Sequence, residues 1–307
     1  MHVDHLGIHT SVEEVFPPER LAEALADLDP NVSVVEGDYD GVDAVVTFDH
    51  DPDFLDHVDW IHTVQAGYDK FPLDELRERD IVLTNSTGIH GASVGEFAVG
   101  QMLSLARRLH EHRDKQHDHE WEWPDWDDPF TLFNEQVTVV GLGTLGQGVA
   151  RRADGIGMRV VGVRRTPTRT PHTREVYTPD RLREAIEDAR FVVVTTPLTE
   201  ATRGLLGADE FDAMREDAYL VNVARGPVVD QDALVDALES GEITGAALDV
   251  FEEEPLPEDS PLWDMDDVLV SPHAAAADRD YYRDVADIVR QNVLHLDADE
   301  ELVNRVV

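Results

Sequence analysis

One short segment constrains the fold of this 307-residue chain more than any other. The apolar run VTVV, residues 137–140, leads directly into GLGTLG, which is followed by the helix-like stretch QGVARRADGIG and a second apolar run, MRVVGV. Glycines at the first, third and sixth places of such a loop allow a tight turn, a close backbone approach and close packing of the next helix. The segment therefore predicts a strand, a loop and a helix whose N-terminus binds the phosphates of a dinucleotide.

Apolar runs and helical stretches alternate on both sides of this segment. Five strand candidates precede residue 86 and six follow residue 135, with helices plausible between most of them. One long helical pattern, from Ser93 to His119, separates the two series, and another helix is expected from Asp278 to Leu296.

These elements predict an α/β fold with two doubly wound parallel-sheet domains. One is expected to be a flavodoxin-like substrate domain and the other a Rossmann nucleotide-binding domain, with a cleft between them. We expect the first to comprise residues 1–92 and 275–307, and the second residues 93–274.

The charge of the chain narrows its partners and its environment. It has 65 acidic and 25 basic residues, a formal net charge of −40, and its only lysines are Lys70 and Lys115. Such a surface disfavours nucleic acid and anionic membranes as partners. Because molar salt shortens the Debye length to roughly 3 Å and screens the self-repulsion, a high-salt cytoplasm is expected. No apolar run suits a membrane span or a signal peptide, and cysteine is absent.

The strand after the glycine loop bears on which dinucleotide is bound. An acidic residue roughly 20 positions after the loop usually binds the ribose 2′-hydroxyl of NAD. Here the strand ends in Arg164, Arg165 and Thr166 instead, and guanidinium groups pair well with a 2′-phosphate. We therefore expect NADP, NAD or both as cofactor, with NADPH preferred. Arg169 and His172, which follow, either reach the same phosphate or lie in a solvated loop.

Three segments at strand ends carry residues suited to acid–base chemistry. Arg225 lies in VNVARGPVVD, Glu254 in LDVFEEEPLP and His273 in VSPHAAA. In an open parallel sheet, the loops at the carboxyl ends of the strands line the ligand crevice. A guanidinium binds a carboxylate bidentately, a protonated imidazole neutralises an alkoxide as it forms, and a carboxylate beside that imidazole fixes its orientation. Glu252 and Glu253 compete with Glu254 for the orienting role.

The spacing of these three residues, 29 positions and then 19, closely resembles that of the D-isomer-specific 2-hydroxyacid dehydrogenase family. The glycine loop, VQAGYD near residue 67 and TTPLT at 195–199 extend the resemblance over nearly the whole chain. It implies reversible, stereospecific reduction of a 2-keto acid to the D-2-hydroxy acid by NAD(P)H. In that family Arg225 would bind substrate, Glu254 would orient His273, and His273 would be the acid/base. With its charge, the chain resembles a halophilic, haloarchaeal member.

The resemblance implies further contacts. The substrate carboxylate is expected on the backbone amides of Ala66 and Gly67, with Arg225 and His273 also touching substrate, and residues 85–89 are expected to form a hinge and a pocket wall. His62 and His90 are expected to be structural. The expected cofactor contacts are Gly141, Gly143, Thr144, Leu145, Gly146, Arg164, Arg165, Thr166, Thr196, Pro197, Thr202, Val223, Ala224, Arg225, Asp249, His273 and Ala275.

Two clusters follow the long helical pattern. Four histidines in HEHRDKQHDH are expected to form a solvated helix end and not a metal site, because no further ligand converges on them, so no metal is expected. Trp121, Trp123 and Trp126 suggest the interface of a homodimer, and in related enzymes such a loop reaches the partner's active site.

Two alternative functions stay open. A glyoxylate/hydroxypyruvate reductase is the nearest within the enzymes, because the RRTP segment is similar to its NADPH-binding strand end. An NAD(H)-sensing interaction protein of the C-terminal-binding type retains the same catalytic set, but it needs a peptide groove that nothing in the sequence marks. Formate dehydrogenase is disfavoured, since that branch carries glutamine in the orienting position.

Overall fold

The computed structural model describes residues 1–307 and contains two compact units. Unit 1 comprises Met1–Ile89 and Ala277–Val307, and unit 2 comprises His90–Ala276. Each unit has one sheet, and every strand pairing in both sheets is parallel. Parallel neighbours require long crossover connections, which the helices supply here. The predicted α/β fold with two parallel-sheet domains is confirmed.

Unit 1 has a five-stranded sheet in the order β2-β1-β3-β4-β5. Its central strands Ala44–Thr47 and Trp60–Thr63 are buried along their whole length, as expected for parallel strands covered on both faces. Pro18 begins the first helix, where its missing amide costs nothing. The elements are β1 (His5–His9), α1 (Pro18–Leu25), β2 (Asn31–Val35), β3 (Ala44–Thr47), β4 (Trp60–Thr63), α2 (Leu73–Glu78) and β5 (Val82–Asn85).

Unit 2 has a seven-stranded sheet in the order β12-β11-β10-β9-β6-β7-β8. Its helices are α3 (Gly91–Ala106), α4 (Leu109–His117), α5 (Thr144–Gly155), α6 (Leu182–Ile186), α7 (Ala208–Asp212) and α8 (Gln231–Ser240). Its strands are β6 (Gln136–Val140), β7 (Arg159–Val163), β8 (Glu175–Tyr177), β9 (Phe191–Val194), β10 (Tyr219–Asn222), β11 (Gly245–Leu248) and β12 (Val268–Val270). The chain then returns to unit 1, where α9 (Tyr281–Asp297) packs against α1. None of the helices has the length and apolarity needed to cross a membrane.

The structure corrects two expectations about these elements. The second sheet has seven strands and not six, because Glu175–Tyr177 pairs with β7 at the sheet edge. The sequence of this strand, EVY, is not an apolar run, so the pattern of apolar runs did not indicate it. The helical pattern from Ser93 to His119 is two helices, because Arg108 between them adopts a left-handed backbone conformation with φ +52°.

Arg108 supplies the physical reason for this break. Its side chain is buried and forms ion pairs with Glu111, Asp128 and Asp267. A buried guanidinium requires such partners, and they lie on three different segments of unit 2. Burial alone would lower the pKa of Arg108, but its bonds to Asp267 and Glu111 raise it instead. These tertiary contacts outweigh the local preference for a continuous helix.

Candidate active site

The glycine loop joins β6 to α5 at the carboxyl end of the sheet. Gly141 has φ +99°, a conformation that glycine adopts without strain. A Cβ atom on Gly146 would lie 1.8 Å from the Gly141 carbonyl oxygen, so the first turn of α5 packs directly on the loop. Gly143, at the helix N-terminus, has no atom within 4 Å of its Cβ position. The loop is therefore tight where it meets the protein and open where a ligand would approach.

Two threonines after β9 complete this region. Thr195 Oγ1 donates to the Gly141 carbonyl at 2.6 Å and holds the loop in place. Thr196 Oγ1 is buried and has no hydrogen-bond partner. Thr202 Oγ1 donates to the Pro197 carbonyl at 2.6 Å and closes the following turn. Since an open backbone cradle, a helix N-terminus and an orphaned hydroxyl lie together, these residues fit the pyrophosphate of a dinucleotide. Thr195 was not among the predicted site residues.

The arginines at the end of β7 are held differently from each other. Arg164 is half-buried, and its Nη1 atom donates to Thr170 Oγ1 at 3.4 Å. Arg165 and Arg169 are exposed. His172 bonds through Nδ1 to Asp154 of α5 at 2.8 Å. Because the Gly141 amide donates to the Val163 carbonyl at 2.8 Å, the strand end that carries Arg164 and Arg165 lies beside the glycine loop.

The turn after β10 presents Arg225. Asn222, which is fully buried, accepts a hydrogen bond from the Ala224 amide at 3.1 Å and donates one to the Arg225 carbonyl at 3.2 Å. A Cβ atom on Gly226 would lie 1.8 Å from the Phe251 carbonyl oxygen, so this turn packs against the segment that leads to Glu254. The Arg225 Nη1 atom donates to the Ala224 carbonyl at 2.8 Å. Asn222 is a supporting residue that the sequence analysis missed.

Glu254 and His273 meet directly. The Glu254 Oε2 atom lies 2.8 Å from Nδ1 of His273, and its Oε1 atom accepts the Phe251 amide at 3.1 Å. Of the three competing glutamates, Glu254 alone bonds to the histidine, whereas Glu252 pairs with Gln231. An ionised carboxylate only accepts, so the bonded Nδ1 carries the proton and Nε2 is left to exchange one. The His273 side chain is 49% exposed and thus reachable by a ligand.

Asp249 holds the loop that carries His273. Its Oδ1 atom accepts hydrogen bonds from Ser271 Oγ at 2.7 Å and from the Ala274 amide at 2.9 Å. Its Oδ2 atom accepts one from the Ala275 amide at 2.8 Å. The His273 amide also donates to the Asp249 carbonyl at 2.8 Å. His273 has φ +52°, and this set of bonds around Asp249 maintains the unusual backbone conformation. Asp249 is itself buried.

Ala66 and Gly67 follow β4 in unit 1. The surrounding loop is fastened by hydrogen bonds from Gln65 Nε2 to the Phe48 carbonyl at 2.9 Å and from Asn85 Nδ2 to the Ala66 carbonyl at 2.8 Å. No hydrogen bond from the amides of Ala66 and Gly67 to another backbone group occurs within the unit. Free amides on a fastened loop are suited to an anionic group.

His62 and His90 are buried and neutral. Burial lowers the pKa of His62 to about 3, and its ring bonds to the hydroxyls of Thr84 and Ser86 at 2.8 and 3.1 Å. Burial, and secondly the charge of Arg225, lower the pKa of His90 to about 4. Neither histidine is a protonated acid near neutral pH.

The tryptophan-rich loop lies after α4. Trp121, Trp123 and Trp126 are each at least 90% exposed. The loop returns to the core at Asp128, which pairs with Arg108, and at Phe130, whose ring lies 3.9 Å from the Arg190 guanidinium carbon. The exposed tryptophans thus lie on a segment that is anchored at its end. No group of three or more His, Cys, Asp or Glu side chains is arranged to hold a metal ion.

Comparison with known proteins decides the family. The model of the NAD binding domain of D-isomer specific 2-hydroxyacid dehydrogenases matches residues 99–275. The glyoxylate reductase of Korarchaeum cryptofilum (strain OPF8) is 33% identical over 314 residues, which cover 99% of this chain and 91% of the relative. The chain belongs to the D-isomer specific 2-hydroxyacid dehydrogenase family. The glyoxylate reductase of Thermococcus gammatolerans is 34% identical over 322 residues, covering 99% of this chain and 93% of that one.

A solved structure agrees with this assignment. The D-isomer specific 2-hydroxyacid dehydrogenase of Xanthobacter autotrophicus Py2, in complex with NADPH and MES, has a TM-score of 0.80 and 30% identity, covering 99% of this chain and 98% of that one. This 2-hydroxyacid dehydrogenase is an NAD(P)-dependent oxidoreductase that acts on the CH–OH group of its donors, and unit 2 contains its NAD-binding domain. The predicted family, enzyme class and cofactor type are confirmed.

Proposed function

We propose that this enzyme reversibly reduces a 2-keto acid to the D-2-hydroxy acid, with His273 as acid/base, Glu254 as orienting residue and Arg225 as substrate-binding residue. The bound nicotinamide cofactor supplies the hydride. His273 Nε2 donates a proton to the carbonyl oxygen, which becomes the hydroxyl of the product. In the reverse direction the same atom accepts that proton. The observation that carries the proposal is the 2.8 Å bond between Glu254 and His273 Nδ1, which leaves Nε2 for the substrate.

The remaining charged groups bind and polarise the substrate in this proposal. The guanidinium of Arg225 attracts the carboxylate and stabilises negative charge on the carbonyl oxygen. The amides of Ala66 and Gly67 bind the carboxylate as neutral donors. Asp249 acts as a positioning residue, since its carboxylate bonds to Ser271, Ala274 and Ala275 on the loop that presents His273. Its predicted contact with the cofactor belongs to the same proposal.

NADPH is the proposed preferred cofactor. Arg164 and Arg165 stand where an NAD-specific site carries a carboxylate, and a guanidinium fork matches the oxygens of a 2′-phosphate. The bond from Arg164 to Thr170 supports this by limiting the rotamers of the guanidinium before the cofactor arrives. The remaining predicted cofactor contacts around the glycine loop and the strand ends stay part of the same proposal.

The experiment that tests the proposal is a substrate panel. Glyoxylate, pyruvate, hydroxypyruvate and longer 2-keto acids are assayed with NADPH and with NADH in molar KCl. The products are resolved by chiral chromatography, except glycolate from glyoxylate, which has no stereocentre. We expect NADPH oxidation, and a D product from every substrate that gives a chiral one. If no member is reduced at any salt concentration, the interaction-protein alternative is favoured instead. An L product would contradict the stereochemistry.

A glyoxylate/hydroxypyruvate reductase is the second candidate within the family. It is favoured by the relatives that are named glyoxylate reductases and are matched over nearly the whole chain. The same panel separates the two, because this candidate requires kcat/KM to be highest for glyoxylate or hydroxypyruvate and to fall as the side chain lengthens.

We also propose a homodimer and a cytoplasm of high salt, without nucleic-acid or membrane partners. The dimer rests on the three exposed tryptophans of the anchored loop, since large exposed aromatics are enriched at interfaces. Its test is light scattering of Trp123→Ala, with Trp263→Ala, another exposed tryptophan, as control. The salt proposal rests on the net charge of −40.

A further inference from the structure

The segment around Asn304 is bonded to the Ala66–Gly67 loop through one intermediate side chain in unit 1. We infer that Asn304 is a positioning residue for substrate binding, acting through Asn85 on the Ala66–Gly67 peptide. The inference rests on the proposed role of the Ala66 and Gly67 amides as the carboxylate site.

Asn304 both donates hydrogen bonds to the residues at and just after the end of β5 and accepts one from them. Its Nδ2 atom donates to the carbonyls of Asn85 at 3.1 Å and Thr87 at 2.6 Å, and its own carbonyl accepts the Asn85 amide at 3.2 Å. The backbone on both sides of Ser86 is thereby held by one carboxamide. Asn304 has φ +55°, a left-handed conformation that asparagine tolerates better than most residues do.

Asn85 extends the connection to the loop after β4. Its side chain is buried, its Nδ2 atom donates to the Ala66 carbonyl at 2.8 Å, and its Oδ1 atom accepts the Thr87 amide at 3.1 Å. The carbonyl of Ala66 and the amide of Gly67 belong to one planar trans peptide, in which they point in opposite directions. Holding the Ala66 oxygen towards Asn85 therefore aims the Gly67 N–H away from it.

The residues that precede and follow Asn304 in the chain are also hydrogen-bonded. Asn292, which is fully buried in α9, accepts the Val303 amide at 2.7 Å and donates to the Val303 carbonyl at 3.2 Å. On the other side, Arg305 forms an antiparallel bridge with Thr84, and the Val306 amide donates to the Leu83 carbonyl at 2.8 Å. The chain of bonds thus runs from a buried helix position, through Asn304 and Asn85, to the substrate loop.

The test uses Asn304→Gly in the full chain. Glycine keeps the left-handed backbone but removes the carboxamide. We expect KM for the preferred 2-keto acid to rise at least about fivefold, while kcat and the Kd of NADPH stay within about twofold. Hydrogen exchange of the free protein should be faster at the amides of Val64 and Gln65, which are hydrogen-bonded to Thr47 and Thr63. Asn134→Gly is the matched control, because Asn134 is also left-handed, with φ +65°, but lies in unit 2. This variant should change neither the KM for the 2-keto acid nor the hydrogen exchange.

A double-mutant cycle with Asn85→Ala identifies the route. If Asn304 acts through Asn85, the double variant has the KM of Asn85→Ala alone. Additive effects on KM, unchanged exchange at the Val64 and Gln65 amides, or faster exchange with an unchanged KM would each overturn the inference. Failure of the proposed function is separately visible, since it appears as a wild-type enzyme that reduces no 2-keto acid. The exchange measurement needs no substrate and does not depend on that result.

Discussion

The carboxylate of Glu254 bonds to His273 through one oxygen and to the Phe251 amide through the other. The second bond matters because a glutamate side chain has three rotatable bonds and would otherwise sample many positions. In the mechanism we propose, a carboxylate held at both oxygens fixes the tautomer of His273 and stabilises the charge of the imidazolium before it donates its proton. The proposed chemistry therefore depends on a backbone amide as well as on the two side chains.

Replacing His273 with alanine should remove most of the turnover. General acid–base catalysis contributes roughly 10²- to 10⁴-fold, so kcat for 2-keto acid reduction should fall by about that factor. The Kd of NADPH, measured by fluorescence titration, should stay within about threefold, because phosphate binding depends on the glycine loop. A variant that retained the wild-type kcat would refute the role of His273 as proton donor.

Glu254→Gln should lower kcat by about 10- to 100-fold, since a hydrogen bond to a charged group contributes about 1.5–3 kcal/mol. Glutamine keeps the size of the side chain but not its charge, so the protonated imidazole loses its stabilising partner. Glu253→Gln is the control, since its side chain has no bond to the histidine in the structure. The measurement is kcat of the two variants by steady-state kinetics. An equal decrease in kcat in both would argue against a specific role for Glu254.

Arg165→Ala and Arg164→Ala should discriminate between the cofactors. Each variant lacks one guanidinium that would pair with the 2′-phosphate. KM for NADPH should therefore rise about tenfold or more, while KM for NADH changes little. Arg20→Ala, on the exposed side of α1 in unit 1, serves as control. Equal increases for both cofactors would indicate a structural role for the two arginines, and no increase would place the phosphate elsewhere.

His62 should make folding stability dependent on pH in mildly acidic solution. Burial lowers its pKa from 6.5 to about 3 on folding. The contribution of neutral His62 to the free energy of unfolding is therefore fully present above pH 6.5 and is lost as the pH falls towards 3. The loss amounts to about 1.4 kcal/mol per pH unit, or about 2 kcal/mol at roughly pH 5.

The measurement is the difference in unfolding free energy between wild type and His62→Gln, at pH 7.5 and at pH 5 in molar KCl. Because the variant has no group to protonate at this position, the difference should narrow by about 2 kcal/mol. His112→Gln, on the exposed helix α4, should show a constant difference. If the difference for His62→Gln were also independent of pH, the folded protein would accommodate protonated His62 without loss of stability.

Salt should stabilise the enzyme. A net charge of −40 repels itself strongly in dilute buffer and is screened within roughly 3 Å at molar ionic strength. Tm should therefore rise by at least about 10 °C between 0.1 M and about 3 M KCl. A neutral osmolyte at matched osmolality controls for preferential exclusion. Should Tm be unchanged by KCl, or should the osmolyte raise it equally, charge screening would not be the cause.

Local sequence patterns were sufficient for most of the fold. The five strands of unit 1 and six of the seven strands of unit 2 are apolar runs long enough to recognise, and the glycine loop depends on three residues within six positions. Arg225, Glu254 and His273 are predicted site residues because each follows a strand, and strand ends in a parallel sheet share one edge. The short strand Glu175–Tyr177 and the break at Arg108 were not identified, since edge pairing and a buried ion cluster involve distant residues.

The chain by itself thus determined which elements form and which chemical groups lie at their ends, because helix and strand periodicity, turn glycines and charge are local properties. Tertiary structure alone decided that Asp249 bonds to the histidine loop, and that Asn304 bonds to Asn85, whose side chain bonds to the Ala66 carbonyl. These bonds join residues up to 219 positions apart, and only the packing of the folded sheet brings such atoms within hydrogen-bonding distance.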